Sequence, residues 1–120
     1  MLLHVAPVLL VRDLDRSIAY YVGRLGFSVD FVYSGSYAAV ARNDCRVHLK
    51  NAPPIERDQA AFEACEHIDV CFSVSDAAAV AAEFERAGAT LAIPLRSSPY
   101  GNEVYVKDPD GYILAFVGPL

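Results

Sequence analysis

Two kinds of spacing between hydrophobic residues alternate along this chain. An apolar run at residues 4–11 is followed by a stretch with helical spacing, made up of Leu14, Ile18, Tyr21, Val22 and Leu25. Three short runs rich in β-branched and aromatic residues come next, at residues 27–33, 37–42 and 45–50. Helices repeat apolar residues every three to four positions, whereas half-buried strands repeat them every two. The first half therefore predicts a strand, a helix and three further strands.

The second half repeats this order. A strand is predicted at residues 67–74, and the helix after it has apolar positions at Ala77, Val80, Ala81 and Phe84. Three more strands are predicted at residues 89–95, 100–107 and 112–117. The last two are separated by the Asp108-Pro-Asp-Gly111 sequence, which is typical of a tight turn.

The helix ends occur at nearly the same spacing in both halves. Asp13 is a good N-cap residue, and Ser75 or Asp76 is expected to cap the second helix. Asp13 and Asp76 lie 63 positions apart, while Gly26 and Gly88 suit helix C-caps and lie 62 positions apart. A constant offset over a whole element indicates a duplicated unit. We expect one domain, residues 1–120, with repeat one at 1–51, a linker at 52–66 containing a helical turn near 58–64, and repeat two at 67–120.

Composition narrows the classes of function. The 120 residues are 54% hydrophobic and 21% charged, as in a compact globular domain. The net charge of −5 disfavours nucleic acid as a partner, and no apolar stretch is long enough to predict a membrane span. Cys45, Cys65 and Cys71 have no CxxC spacing, which favours reduced thiols and a cytoplasmic location.

Two segments carry a resemblance to a known family. They are Val11 to Phe27, which reads VRDLDRSIAYYVGRLGF, and Pro99 to Gly111, which contains the VKDPDG turn. With two βαβββ units, the chain resembles the vicinal oxygen chelate superfamily over nearly its whole length. The resemblance implies an α+β fold of two tandem βαβββ repeats forming open curved sheets, the glyoxalase/bleomycin-resistance fold. The superfamily includes glyoxalases, extradiol dioxygenases and bleomycin-resistance proteins.

The resemblance also implies where a divalent metal would be held. In the enzymes of this superfamily the ligands come from the first and last strands of each unit, which here correspond to Ala6, His48, Asp69 and Ala115. Alanine has no lone pair, and catalytic metal sites normally use about three protein ligands. We therefore expect no metal, no cofactor and no catalytic residue. We interpret Cys71 as a packing residue of an apolar strand rather than a nucleophile.

Two alternatives to a metal-free binding protein remain open at this stage. One is a purely structural or regulatory dimer with a closed cavity, and the other is a metal-dependent enzyme. Strand side chains alternate, so His4 shares a face with Ala6, and His67 shares a face with Asp69. A shifted site made of His4, His48, His67 and Asp69 would make the protein a metal-dependent lyase or dioxygenase.

Among the metal-free members, the bleomycin-resistance proteins are most similar. Their patterns correspond to Ala6-Pro7-Val8-Leu9, to Asn43 through His48, and to Ser98-Pro99-Tyr100-Gly101-Asn102-Glu103. This implies a homodimer that sequesters an antibiotic or aromatic metabolite in a groove of the dimer. The lack of tryptophan departs from the pattern, and Lys50 adds a positive charge near the groove. The residues expected to bind the ligand are Tyr33, Tyr37, His48, Asp69, Tyr100, Glu103, Tyr105, Ile113 and Ala115. The tyrosines would stack on the ligand, and Ile113 and Ala115 would form an apolar floor.

Overall fold

A computed structural model describes residues 1–120 as eight strands and three helices. The chain divides into two compact units, Met1–Glu56 and Arg57–Leu120, and their boundary falls inside the predicted linker. No helix has both the length and the apolar character needed to cross a membrane.

The first unit is one four-stranded sheet with one helix. Its elements are β1 (Val8–Val11), α1 (Leu14–Leu25), β2 (Ser28–Tyr33), β3 (Tyr37–Arg42) and β4 (Cys45–Asn51). The strand order is β1-β4-β3-β2, with β1 parallel to β4 and the other pairs antiparallel.

The second unit has the same topology, with a short helix before it. Its elements are α2 (Gln59–Ala64), β5 (Val70–Ser73), α3 (Ala77–Ala87), β6 (Thr90–Ser98), β7 (Gly101–Lys107) and β8 (Ile113–Gly118). The order β5-β8-β7-β6 matches that of the first sheet, and β5 runs parallel to β8. The prediction of an α+β fold with two βαβββ repeats is confirmed.

The predicted helix caps are present in both units. The side chains of Asp13 and Asp76 accept hydrogen bonds from backbone N–H groups of the first helical turn, at 3.0 and 3.1 Å. Gly26 and Gly88 have φ angles of 74° and 79°, the left-handed conformation that a C-cap requires. These caps satisfy backbone groups that the helix leaves without partners.

Each sheet buries one face against its long helix. In the first unit, Val47 and Leu49 of β4 are fully buried. In the second unit, the Phe84 ring of α3 meets the Phe116 ring of β8 edge-on at 4.9 Å, and Phe116 stacks on Phe72 at 4.8 Å. Because strand side chains alternate, the residues between these positions lie on the opposite face of each sheet, here called the open face.

Two strand starts differ from the sequence prediction. The strand predicted at residues 4–11 begins at Val8, because Pro7 has no N–H to donate and contributes only its carbonyl, which accepts from the N–H of His48 at 2.9 Å. The strand predicted at residues 67–74 begins at Val70, because the preceding residues form the exit of α2, with Glu66 at φ 58°.

The strand predicted to stop near Pro94 continues to Ser98. β6 is an edge strand, and its register with β7 shifts between Ile93 and Arg96. An irregular edge strand accommodates a proline without losing a ladder hydrogen bond, so the prediction of an end at residue 95 was wrong.

The surroundings of two glycines predict opposite effects of alanine on stability. At Gly101, with φ of 155°, a Cβ would overlap the backbone oxygen of Gly118, so Gly101→Ala should lower the free energy of unfolding by roughly 1–3 kcal/mol, as overpacking does. Gly23 lies inside α1, and no atom comes within 4 Å of the place that an alanine methyl would take, so Gly23→Ala should raise it by about 0.5–1 kcal/mol. Urea unfolding of both variants checks this, and equal effects of the two substitutions would contradict it.

Candidate functional site

Two rows of side chains cross the open face of the first sheet, as the strand register shows. The first row consists of Val8, His48, Ala39 and Phe31, and the second of Leu10, Lys50, Tyr37 and Tyr33. Neighbouring residues of β4 are fully buried on the helix side, so alternation places His48 and Lys50 on the open face.

Phe31, Tyr37 and His48 form an aromatic cluster on this face. The Phe31 and Tyr37 rings are parallel within 8°, with centroids 6.2 Å apart. The His48 ring stands nearly perpendicular to both, at 83° and 85°, with centroid distances of 5.7 and 5.4 Å. Edge-to-face and offset parallel arrangements are those that aromatic rings prefer. Phe31 remains 42% exposed, so the cluster presents ring surface to solvent.

A hydrogen bond orients the centre of the cluster. The Tyr37 hydroxyl lies 2.7 Å from Nδ1 of His48. The structure gives the phenol hydrogen no other acceptor, so we assign the hydroxyl as donor and Nδ1 as acceptor. The neutral ring then carries its hydrogen on Nε2. This N–H has no partner within the protein and is available to a ligand.

Three of the residues predicted from the sequence meet on this face. Tyr37 and His48 are in contact, and Tyr33 lies opposite Tyr37 at the end of the hairpin, 71% exposed. Sequence reasoning missed Phe31. Its spacing of two residues from Tyr33 places both on one face of a strand, and this was the available signal.

Two surface grooves of the first unit contain none of the residues predicted to bind a ligand. Their volumes are about 410 and 280 Å³, and they share Arg12 and Asn51. No aromatic side chain lines either groove, so neither offers a stacking surface.

The second sheet has the same two rows with different side chains. They are Cys71, Ala115, Tyr105 and Ile93, and then Ser73, Val117, Glu103 and Arg96. Ala115 takes the position of His48, and Glu103 takes that of Tyr37. The aromatic cluster of the first unit therefore has no counterpart in the second.

Glu103 is fully buried and bonded within the chain. Its carboxylate accepts from Arg96 Nε at 2.8 Å and from the Tyr100 hydroxyl at 2.7 Å, with the Tyr105 hydroxyl at 3.5 Å. Burial, reinforced by the charge of Glu103, raises the pKa of Tyr105 to about 12. The structure thus brings together the predicted residues Tyr100, Glu103 and Tyr105, and Arg96 is paired with the carboxylate of Glu103.

Asp69 is held by a second arginine. Arg57 binds both carboxylate oxygens, at 2.6 and 2.9 Å, and the backbone N–H of Ile113 and His67 Nε2 lie 2.8 and 3.0 Å away. Burial alone would raise the pKa of Asp69, but the hydrogen bonds from Arg57, Ile113 and His67 outweigh it, so the pKa lies below its usual value. Asp69 therefore joins the start of the second unit to β8.

Ion pairs link α2 and the residues just after it to the second sheet. Glu63 contacts Lys107 at 2.9 Å, and Glu66 contacts Arg96 at 2.6 and 2.9 Å. A cavity beside these ion pairs measures about 30 Å³ and is lined by Glu63, Glu66, His67, Ala92, Ile93, Tyr105 and Ile113. Clefts for drug-sized ligands occupy roughly 300–1,000 Å³. This cavity is smaller than such a cleft, and the side chains of Tyr105, Ile113 and Ala115 are buried. Their binding role stays a prediction.

Arg57 and Arg96 were missed from the sequence, because nothing in their local spacing reveals which acid lies beside them in the fold. Cys71 was wrongly interpreted as a packing residue. It lies on the open face of the edge strand β5 and is exposed.

The residues of the alternative metal site do not fit a divalent metal centre. No three His, Cys, Asp or Glu side chains are arranged to hold an ion. A guanidinium occupies both oxygens of Asp69, His67 points at the same carboxylate, and Nδ1 of His48 is bonded to Tyr37.

Asp69→Asn should destabilise the protein and reduce its sensitivity to acid. We expect a loss of roughly 1.5–3 kcal/mol at neutral pH, the range for hydrogen bonds to a charged group. Because the pKa of Asp69 is lower in the folded state, its stabilisation is present above the ordinary carboxyl pKa of about 3.9 and is lost as pH falls through the folded-state value. Urea unfolding between pH 7 and pH 2 measures both effects. Asp44→Asn, in an exposed turn, is the control, and parallel pH profiles for the wild type and Asp69→Asn would contradict the role of Asp69.

Comparison with solved structures places this architecture among known folds. The bleomycin-binding protein from bleomycin-producing Streptomyces verticillus, complexed with copper(II)-bleomycin, is 27% identical, with a TM-score of 0.74 over 100% of this chain and 98% of that one. TnmS3, an antibiotic-binding protein from Streptomyces sp. CB03234, is 20% identical, with a TM-score of 0.75 over 99% and 98%. A glyoxalase-related enzyme from Clostridium phytofermentans is 19% identical, with a TM-score of 0.79 over 100% and 97%. The last two similarities, at such low identity, concern the fold alone.

Sequence comparison gives the family directly. No curated protein sequence matches the chain. The model of the glyoxalase/bleomycin resistance protein/dioxygenase superfamily matches residues 2–116, nearly the full length. This chain is therefore a member of the glyoxalase/bleomycin resistance protein/dioxygenase superfamily.

Proposed function

We propose that this protein binds a small organic molecule, an antibiotic or an aromatic metabolite, and sequesters it without metal chemistry. The aromatic cluster of Phe31, Tyr37 and His48 carries the proposal. It combines exposed ring surface with an N–H donor that has no partner. Aromatic walls with a few placed polar groups are the usual makeup of a small-molecule site.

The composition of the open face supports binding rather than chemistry. Its two rows in the first unit contain no carboxylate or thiol. The carboxylate next to them, Asp30, is paired with Arg46 at 3.2 Å. The 27% identical bleomycin-binding protein spans the same length and supports a ligand of the antibiotic class.

We also propose that the protein forms a homodimer and that the ligand lies in a groove of the dimer. The N-terminal segment supports association, because Met1, Leu2, Leu3 and Val5 are 78–110% exposed. Contiguous exposed apolar side chains mark contact surfaces.

Phe31→Ala should weaken ligand binding. Thermal unfolding is measured with bleomycin, copper(II)-bleomycin and a panel of flat aromatic antibiotics. A compound present at 100 times its Kd should stabilise the wild type by about 2.7 kcal/mol. Phe31→Ala should lose most of that gain, because it removes half of the parallel ring pair. Val29→Ala is the matched control, since Val29 is exposed on the same strand but pairs with the buried, helix-facing Val40. Equal ligand stabilisation of the Phe31→Ala variant and the wild type would refute the site.

Size-exclusion chromatography with light scattering tests the association. The wild type should elute at twice the protomer mass, and deletion of residues 1–5 should shift the equilibrium toward the monomer, because it removes the exposed apolar side chains. A wild type that stays monomeric at about 100 μM would refute the dimer.

A further inference from the structure

The charge on the open face of the first sheet is positive. Lys50 lies between Leu10 and Tyr37 in the second row, is exposed and has no ion pair. The other cation of this face on β4, Arg46, is paired with Asp30 at 3.2 Å. Neither row contains an acid, so the unpaired charge beside the aromatic cluster is an ammonium.

The free hydrogen-bonding groups of His48 and Lys50 on this face are also suited to a negatively charged ligand, because both are donors. Since Nδ1 of His48 accepts from Tyr37, Nε2 carries a hydrogen and donates. The ammonium of Lys50 offers donors only. A ligand on this face therefore meets two donors and must supply acceptors.

The acids that would attract a cationic ligand are already matched elsewhere. Asp69 is bound by Arg57 and Glu103 by Arg96, all within the second unit. The net charge of −5 belongs to the whole chain, and at physiological salt its field is screened beyond about 8 Å. The charge of Lys50 therefore decides whether the aromatic cluster favours an anionic or a cationic ligand.

Resting on the proposed function, we infer that the ligand of the aromatic cluster is a planar aromatic anion, a carboxylate or phenolate. Its ring lies against Phe31 and Tyr37, its acceptor faces His48 Nε2, and its negative charge lies near Lys50. Side chains directly opposite on neighbouring strands have Cβ atoms about 5 Å apart. Lys50 and Tyr37 are such a pair, so its flexible side chain reaches the edge of a ring stacked there.

Two dyes that differ by one charge test this. 8-Anilinonaphthalene-1-sulfonate is anionic, and N-phenyl-1-naphthylamine is the same ring system without the sulfonate. Fluorescence titration measures both affinities for the wild type and for Lys50→Met, Phe31→Ala and Arg86→Met. Arg86→Met removes an equal charge from an exposed position of α3 and controls for net charge.

The expected result is a selective loss. Lys50→Met should weaken the sulfonate dye roughly two- to fivefold, as expected for an exposed ion pair, and leave the neutral dye unchanged. Phe31→Ala should weaken both dyes, and Arg86→Met neither. If Lys50→Met binds the sulfonate dye as the wild type does while Phe31→Ala weakens both, the anionic ligand class is overturned and the aromatic site stands. If Phe31→Ala weakens neither dye, or neither dye binds the wild type, the site itself fails and the inference fails with it.

Discussion

Each long strand of this chain turns its side chains alternately toward a helix and toward the open face. The helix side must be apolar and closely packed, because α1 and α3 bury their hydrophobic stripes there. Phe84, Phe116 and Phe72 show this in the second unit, where their ring centroids lie 4.8 and 4.9 Å apart. The constraint applies to every second residue and leaves the intervening residues free to differ, which is where the two repeats diverge.

The divergence is visible position by position. Where the first unit has His48, Tyr37 and Ala39, the second has Ala115, Glu103 and Tyr105. In the first unit these side chains make an exposed aromatic surface. In the second unit they lie under ion pairs that link the chain around α2 to the sheet, with Arg57 and Arg96 as the central cations. One duplicated backbone thus carries an exposed aromatic surface in the first unit and a surface covered by ion-paired side chains in the second.

Much of the fold could be predicted from the sequence, because it depends on interactions between residues that are close along the chain. Helix spacing, the Asp N-caps and the glycine C-caps depend on neighbours within a few residues, and all were confirmed. Strand ends were less accurate, because Pro7 and the exit of α2 shorten β1 and β5 through contacts that local propensity does not contain. For the site, the pairing of Tyr37 with His48 lay within the predicted set, while Phe31 was missed although its spacing from Tyr33 pointed to it.

The sequence by itself determined the duplicated βαβββ order and the faces of each strand, because these follow from periodicity and capping over short distances. It also indicated the family, through the resemblance carried by the segments Val11–Phe27 and Pro99–Gly111. Only the tertiary structure decided which acids are free. Asp69 and Glu103 were both predicted from the sequence to bind a ligand. In the structure, Arg57 and Arg96 lie against them, from 12 and 7 residues away along the chain. Ion pairs form between side chains that are close in space. The register of the sheet and the path of the linker determine which side chains those are.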